Sequence, residues 1–161
     1  GRSPYLPRWK PLPSKDRRIV EHAMQLTDTI KLRDRPFHEL SDGEKQLVVV
    51  AKALAQQPKL LLLDEPATHL DIYHQVCLFK ILSQLNLERD VTIVCVTHDL
   101  SLAGQYVDRF ILLKEGRLLA DGPAEKVLQK STLESLYNVP LQVIKTNDLK
   151  VPYIIPCSRD L

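Results

Sequence analysis

Two short apolar runs constrain the fold of this chain more than any other feature. Leu60-Leu61-Leu62-Leu63 and the run from Val91 to Val96 are nearly continuous in apolar residues, and both stop at charged or polar positions. Runs of this kind suit strands buried on both faces. Between them, Tyr73 to Leu87 reads as a helix. Strand, helix, strand in that order implies a parallel pair with a right-handed crossover, so the fold class is α/β.

The flanking segments fit this frame. Gly1 to Pro13 holds four prolines with the aromatics Tyr5 and Trp9, which predicts an extended surface segment. Ser14 reads as an N-cap, and Ile19, Val20, Ala23, Met24 and Leu26 follow at helical spacing. After a break around Asp34 to Pro36, Leu47, Val50, Ala51 and Leu54 fall at i, i+3, i+4 and i+7, which predicts a helix from Asp42 to Gln56 closed by Pro58. Beyond the second strand the pattern predicts a short helix near Leu100 to Tyr106. Strands follow at Phe110 to Lys114 and Arg117 to Ala120, joined by the turn Lys114-Glu115-Gly116-Arg117. Helices at Ala124 to Gln129 and near Leu133 to Tyr137, then short strands around Leu141 to Lys145 and Val151 to Ile155, end the chain.

Composition excludes several classes of function. With 22 basic and 20 acidic residues the net charge is +2, and no basic stripe or acidic tail points to nucleic acid. Cys77, Cys95 and Cys157 are too widely spaced to suggest a disulfide framework or a zinc site, which fits a reducing cytoplasm. No apolar run approaches the length of a membrane span, so any membrane role is expected to be peripheral.

Ligands of open α/β sheets gather at the carboxyl ends of the strands, and both runs end in chemistry. The first emerges as Asp64-Glu65-Pro66 and the second as Thr97-His98-Asp99. If the strands are neighbours, Asp64, Glu65 and His98 converge on a volume suited to a metal-bound phosphate and an attacking water. Equally, Asp64 and Asp99 can cap the segments that follow, with His98 a turn residue. Leu40-Ser41-Asp42-Gly43-Glu44 supplies a hydroxyl, a glycine and backbone amides at a helix start, which is a ready anion site. It also has the pattern of a capping box, Ser41 with Glu44.

Taken together, the order and spacing of these elements resemble the ATP-binding cassette (ABC) ATPase family. Leu40 to Glu44 resembles the LSGGQ signature, and Leu60 to Glu65 the Walker B strand with its catalytic glutamate. Thr68-His69-Leu70-Asp71 is similar to the D-loop and His98 to the switch histidine. Gly1 to Leu6, Asp71 to Gln75 and the tail from Leu136 to Pro152 resemble ATPases of iron-siderophore, haem and cobalamin importers. Asp42 replaces the first signature glycine, and Leu47 stands where the family usually has arginine.

The resemblance implies a partial P-loop NTPase core: residues 1–57 as a helical-subdomain segment with the signature, and 58–161 as the C-terminal part of the core. It implies ATP and Mg²⁺ as ligands. Ser41, Gly43 and Glu44 would face the nucleotide bound by a partner cassette, Asp64 would hold Mg²⁺, Glu65 would activate water, His98 would meet the γ-phosphate, and Asp71 would link the two sites. The implied partners are a second copy in a homodimer and transmembrane permease subunits, at the cytoplasmic face of the inner membrane, and the segment with Tyr5, Arg8 and Trp9 is a candidate docking surface for the permease. No G-x-x-x-x-G-K-[ST] occurs among the five glycines, and in the family both that Walker A loop and the Q-loop precede the signature. The chain, which opens on Gly1, is therefore expected to be the C-terminal portion of a longer ATPase or a truncated product. The alternative function is a non-catalytic module that donates a signature motif to a partner cassette.

Overall fold

A computed structural model of the protein describes residues 1–5 and 12–157. The chain divides into two compact units, Gly1–Thr97 and His98–Leu161. Arg8 and Trp9 of the candidate docking segment lie outside the described residues.

In the first unit, helix α1 (Ser14–Leu26) packs against helix α2 (Asp42–Leu54). Pro13 takes the extended N-cap position and Ser14 is the first helical residue, so the helix begins one residue sooner than the sequence suggests. Arg2 donates from Nε to Asp16 in the first turn of α1 at 2.6 Å, and its guanidinium lies 4.2 Å over the Tyr5 ring. Tyr5 in turn donates to the carbonyl of Gln56 at 3.1 Å, so the N-terminal residues are tied to the start of α1 and the end of α2. Val50, Ala51 and Leu54 are the buried apolar stripe of α2.

Strands β1 (Leu60–Asp64) and β2 (Thr92–Val96) pair in parallel, with Leu60 opposite Thr92 and Asp64 opposite Val96. Helix α3 (Ile72–Arg89) makes the crossover and packs on β2, with Leu78, Phe79, Leu82 and Leu85 buried. The parallel pair is as expected, but its burial is not. Leu60, Leu62, Val94 and Val96 alternate onto one face and stand 51%, 69%, 46% and 55% exposed. Among the described residues of this unit the strands are therefore buried on one side, where the sequence pattern suggested two. Burial on the covered side pushes the Cys95 thiol up to about 11, in keeping with an inert cysteine.

The second unit begins with a single helical turn, α4 (Leu100–Ala103), shorter than the Leu100 to Tyr106 segment expected. Strands β3 (Phe110–Lys114) and β4 (Arg117–Gly122) form the expected hairpin. Its two central residues, Glu115 and Gly116, both have positive φ, 51° and 73°, the twist that a two-residue hairpin turn favours. Helices α5 (Ala124–Val127) and α6 (Lys130–Tyr137) lead into the antiparallel pair β5 (Leu141–Ile144) and β6 (Tyr153–Pro156). Phe110, Leu112, Val127, Leu133, Leu141 and Val151 are buried in one core cluster. Lys114 binds the side chain of Asn138 at 2.6 Å and the carbonyl of Ser135, which fastens the hairpin to the end of α6. Among the described residues all three sheets are two-stranded, and no helix is long and apolar enough to cross a membrane.

Candidate nucleotide site

The carboxyl end of β1 is where the first unit concentrates its polar chemistry. Asp64, the last strand residue, is exposed, and Glu65 follows in the left-handed region with φ 43°. A non-glycine residue there costs about 1–3 kcal/mol, and such residues cluster at functional sites. Two bonds fix this conformation. The Glu65 amide continues the ladder by donating to Val96 at 2.9 Å, and the Thr68 hydroxyl donates to the Glu65 carboxylate at 2.8 Å. The loop from Glu65 to Leu70 is further pinned by Gln75 of α3, whose amide donates to the carbonyls of Ala67 and Leu70 at 3.3 and 3.1 Å.

Asp71 then caps α3, accepting from the His74 amide at 2.8 Å. Its carboxylate also meets Nδ1 of the His74 ring at 2.9 Å. Those two hydrogen bonds, backbone first, hold Asp71 below the usual carboxylate range.

At the start of α2, Ser41 and Glu44 form the capping box that their spacing allows. The Ser41 hydroxyl accepts from the Glu44 amide at 3.3 Å, and the Glu44 carboxylate accepts from the Ser41 amide at 2.9 Å. That backbone bond, assisted by the Ser41 hydroxyl and Arg35, holds Glu44 below its ordinary value. Asp42 is turned toward Lys45, 3.1 Å away. Gly43 is buried, and a Cβ built on it would lie 2.4 Å from His74 Cδ2 and Cγ. Within this one unit the structure thus joins Ser41 to Glu44, Glu65 to Thr68, and Gly43 to Asp71 through His74.

His98 is the first residue of the second unit and is exposed. Asp99 caps α4, accepting from the Leu102 amide at 2.8 Å, which is the capping role its sequence position allowed. The unit holds an open cavity of about 540 Å³ lined by His98, Asp99, Ser101 and Tyr137 with Leu100 and Ile154. Burial there, with the Asp99 charge, raises the Tyr137 phenol above its usual value.

Among the described residues no three His, Cys, Asp or Glu side chains group to hold a metal. A lone exposed carboxylate such as Asp64 fits Mg²⁺, which is commonly held by one or two carboxylates, water and substrate phosphates rather than by an all-protein cage. The sequence places Thr68 in the D-loop resemblance and His74 in the Asp71 to Gln75 segment, but gives neither residue a role of its own. The signal for Thr68 was a hydroxyl three residues after the glutamate; that for His74 was a ring three residues after an N-cap aspartate.

The family model described as ABC transporter matches residues 5–68. Over 162 aligned residues the chain is 36% identical to the ferric enterobactin transport ATP-binding protein FepC of Escherichia coli (strain K12), an alignment that covers 99% of this chain and 59% of FepC. The chain belongs to the ABC transporter ATP-binding family. It is also 39% identical over 145 residues to the hemin import ATP-binding protein HmuV of Rhodococcus jostii (strain RHA1), covering 90% of this chain and 49% of that protein. Among solved structures, an ABC transporter in an inward-facing conformation superposes with a TM-score of 0.88 at 26% identity, covering 98% of this chain and 64% of that one. The cbiO1 structure from Clostridium perfringens, part of the ABC transporter complex cbiONQ, gives 0.69 at 33% identity, covering 81% of this chain and 52% of that one. This ABC chain therefore spans about half to three fifths of the length of the curated relatives it matches, and its fold is that of part of an ABC cassette.

Proposed function

We propose that this chain is the C-terminal portion of the ATP-hydrolysing subunit of an ABC importer for an iron-siderophore, haem or cobalamin. The observation that carries the reading is the Glu65 carboxylate, held by Thr68 beside Asp64 at the carboxyl end of a strand of a parallel pair. A carboxylate fixed in this way can orient and deprotonate water, and phosphoryl transfer depends on such positioning more than on covalent chemistry. Asp64 would hold the Mg²⁺ of a bound nucleotide, which would supply neutralisation of the phosphate charge. Ser41, the amide of Gly43 and Glu44 present the first turn of α2 to ATP bound by a second cassette, where helix-start amides lack intrahelical partners. His98 contacts the γ-phosphate and Asp71 links the paired sites.

On this reading residues 1–57 are the helical-subdomain segment and 58–161 the core segment. The cassettes pair as a homodimer and dock on transmembrane permeases at the cytoplasmic face of the inner membrane, as peripheral proteins. The relatives named for ferric enterobactin and hemin support the importer class. The open apolar face of β1 and β2 supports a missing covering layer. The alternative, a non-catalytic module donating its signature motif, leaves the Glu65 to Thr68 contact without a task.

Two observations test the assignment. Reading the gene upstream of the Gly1 codon should reveal an in-frame phosphate-binding loop, and neighbouring genes should encode a permease and a solute-binding protein. A stop codon directly upstream, or neighbouring exporter genes, would count against it. In the complete subunit, Thr68→Val removes the hydroxyl that holds Glu65 while keeping side-chain volume. Steady-state hydrolysis should then fall about 3- to 30-fold in kcat with KM little changed, the pattern of a lost transition-state contact. An unchanged kcat would remove Thr68 from the mechanism.

A further inference from the structure

His74 touches two motifs at once. Its ring lies against Gly43 so closely that the missing Cβ of that glycine would sit 2.4 Å from Cδ2 and Cγ and 2.8 Å from Nδ1. A Cβ essentially never approaches a heavy atom below 3.0 Å, so the glycine and the ring occupy one shared space. The ring nitrogen Nδ1 also meets the Asp71 carboxylate at 2.9 Å, while the backbone amide of the same histidine donates to the same oxygen at 2.8 Å. The ring is also edge-on to Tyr73, with centroids 5.3 Å apart. The His74 side chain is 23% exposed and that of Asp71 66%, so the ring is largely packed while its bond to Asp71 lies at the surface.

We propose that His74 is a positioning residue that locks the first turn of α2 to the loop ending at Asp71, so that signature and D-loop move as one body. The inference rests on the nucleotide-site reading given above for Gly43 and Asp71. The chemistry asks for a flat side chain, because only a glycine faces it, and for a nitrogen at the δ position, because Asp71 lies there. A displacement of Asp71 by a neighbouring cassette is thereby transmitted to the amides that would meet the phosphate. Coupling of this kind, between residues in direct contact, is what double-mutant cycles measure.

The test uses the complete subunit carrying His74→Ala, His74→Asn, Gly43→Ala and the Gly43→Ala/His74→Ala pair. Asn places an amide nitrogen near the position of Nδ1 and should keep both KM for MgATP and kcat within about 3-fold of the parent. His74→Ala should raise KM about tenfold while kcat changes less than about 3-fold, since the phosphate contact is loosened and the Glu65 carboxylate is untouched. Gly43→Ala should be more damaging than His74→Ala, and removing the ring in the double variant should restore part of the loss. Amide exchange at residues 41–45, measured without nucleotide, should quicken in His74→Ala and stay unchanged in His74→Asn. The proposal is overturned if the two alanine effects simply multiply, if His74→Ala lowers kcat with KM unmoved, or if exchange at 41–45 is the same in all variants. Absence of hydrolysis in the parent would refute the ATPase reading, and the exchange measurement would still decide the role of His74.

Discussion

Replacing Glu65 by Gln in the complete subunit is expected to lower ATP hydrolysis by about 10²- to 10⁴-fold, the range over which a positioned general base contributes. At about 1.4 kcal/mol per factor of ten, this corresponds to roughly 3 to 5.5 kcal/mol of transition-state stabilisation. The substitution isolates charge from shape. Gln can occupy the same backbone conformation, with φ 43° and the amide bonded to Val96, and its side-chain oxygen can still accept from Thr68. Water activation is lost, while the groups proposed to hold nucleotide, Ser41, Gly43 and Asp64, are unaltered. MgATP should therefore accumulate uncleaved between paired cassettes, and size-exclusion chromatography with ATP should show a long-lived dimer. Steady-state phosphate release measures the first effect. Turnover within a few-fold of the parent would assign the catalytic carboxylate elsewhere.

The parallel pair was legible because an uninterrupted apolar run bounded by polar residues leaves few alternatives to a strand, and the helix between two such runs fixes their direction. Which faces of those strands are covered was not legible. Leu60 and Leu61 are identical in sequence terms, yet one is 51% exposed and the other 6%, a difference made by what packs on each side of the sheet. Caps were readable where a short polar side chain stands just before a helix: Ser41 with Glu44, and Asp99, behave as their spacing suggests. Ser14 failed for a physical reason. Pro13 already supplies extended backbone, φ −60° and ψ 153°, so the helix begins one residue sooner. The contacts of Thr68 and His74 were hidden because they depend on loop conformations, the left-handed Glu65 and His69 among them, that no periodicity encodes.

The 161-residue chain on its own is expected to bind MgATP too weakly to saturate below about 1 mM, a free energy no more favourable than about −4 kcal/mol. Its sequence contains no glycine-rich loop to cradle the phosphates, and the groups it does carry meet a nucleotide held chiefly by another element. The same chain should be marginally stable. Among the described residues β2 pairs only with β1 and β3 only with β4, and each of these sheets leaves large apolar side chains in water, with Leu62 69%, Ile111 58% and Leu113 64% exposed. Strand edges with free backbone groups and uncovered apolar faces give little protection against local opening, and they invite association between copies. Calorimetric titration with MgATP tests the first expectation. Amide exchange tests the second, since residues 92–96 and 110–114 should exchange far faster in this chain than in the complete subunit. Micromolar affinity with strongly protected amides in both strands would mean that the chain holds nucleotide through elements of its own, and the assignment of this sequence as the C-terminal portion of a longer ATPase would have to be given up.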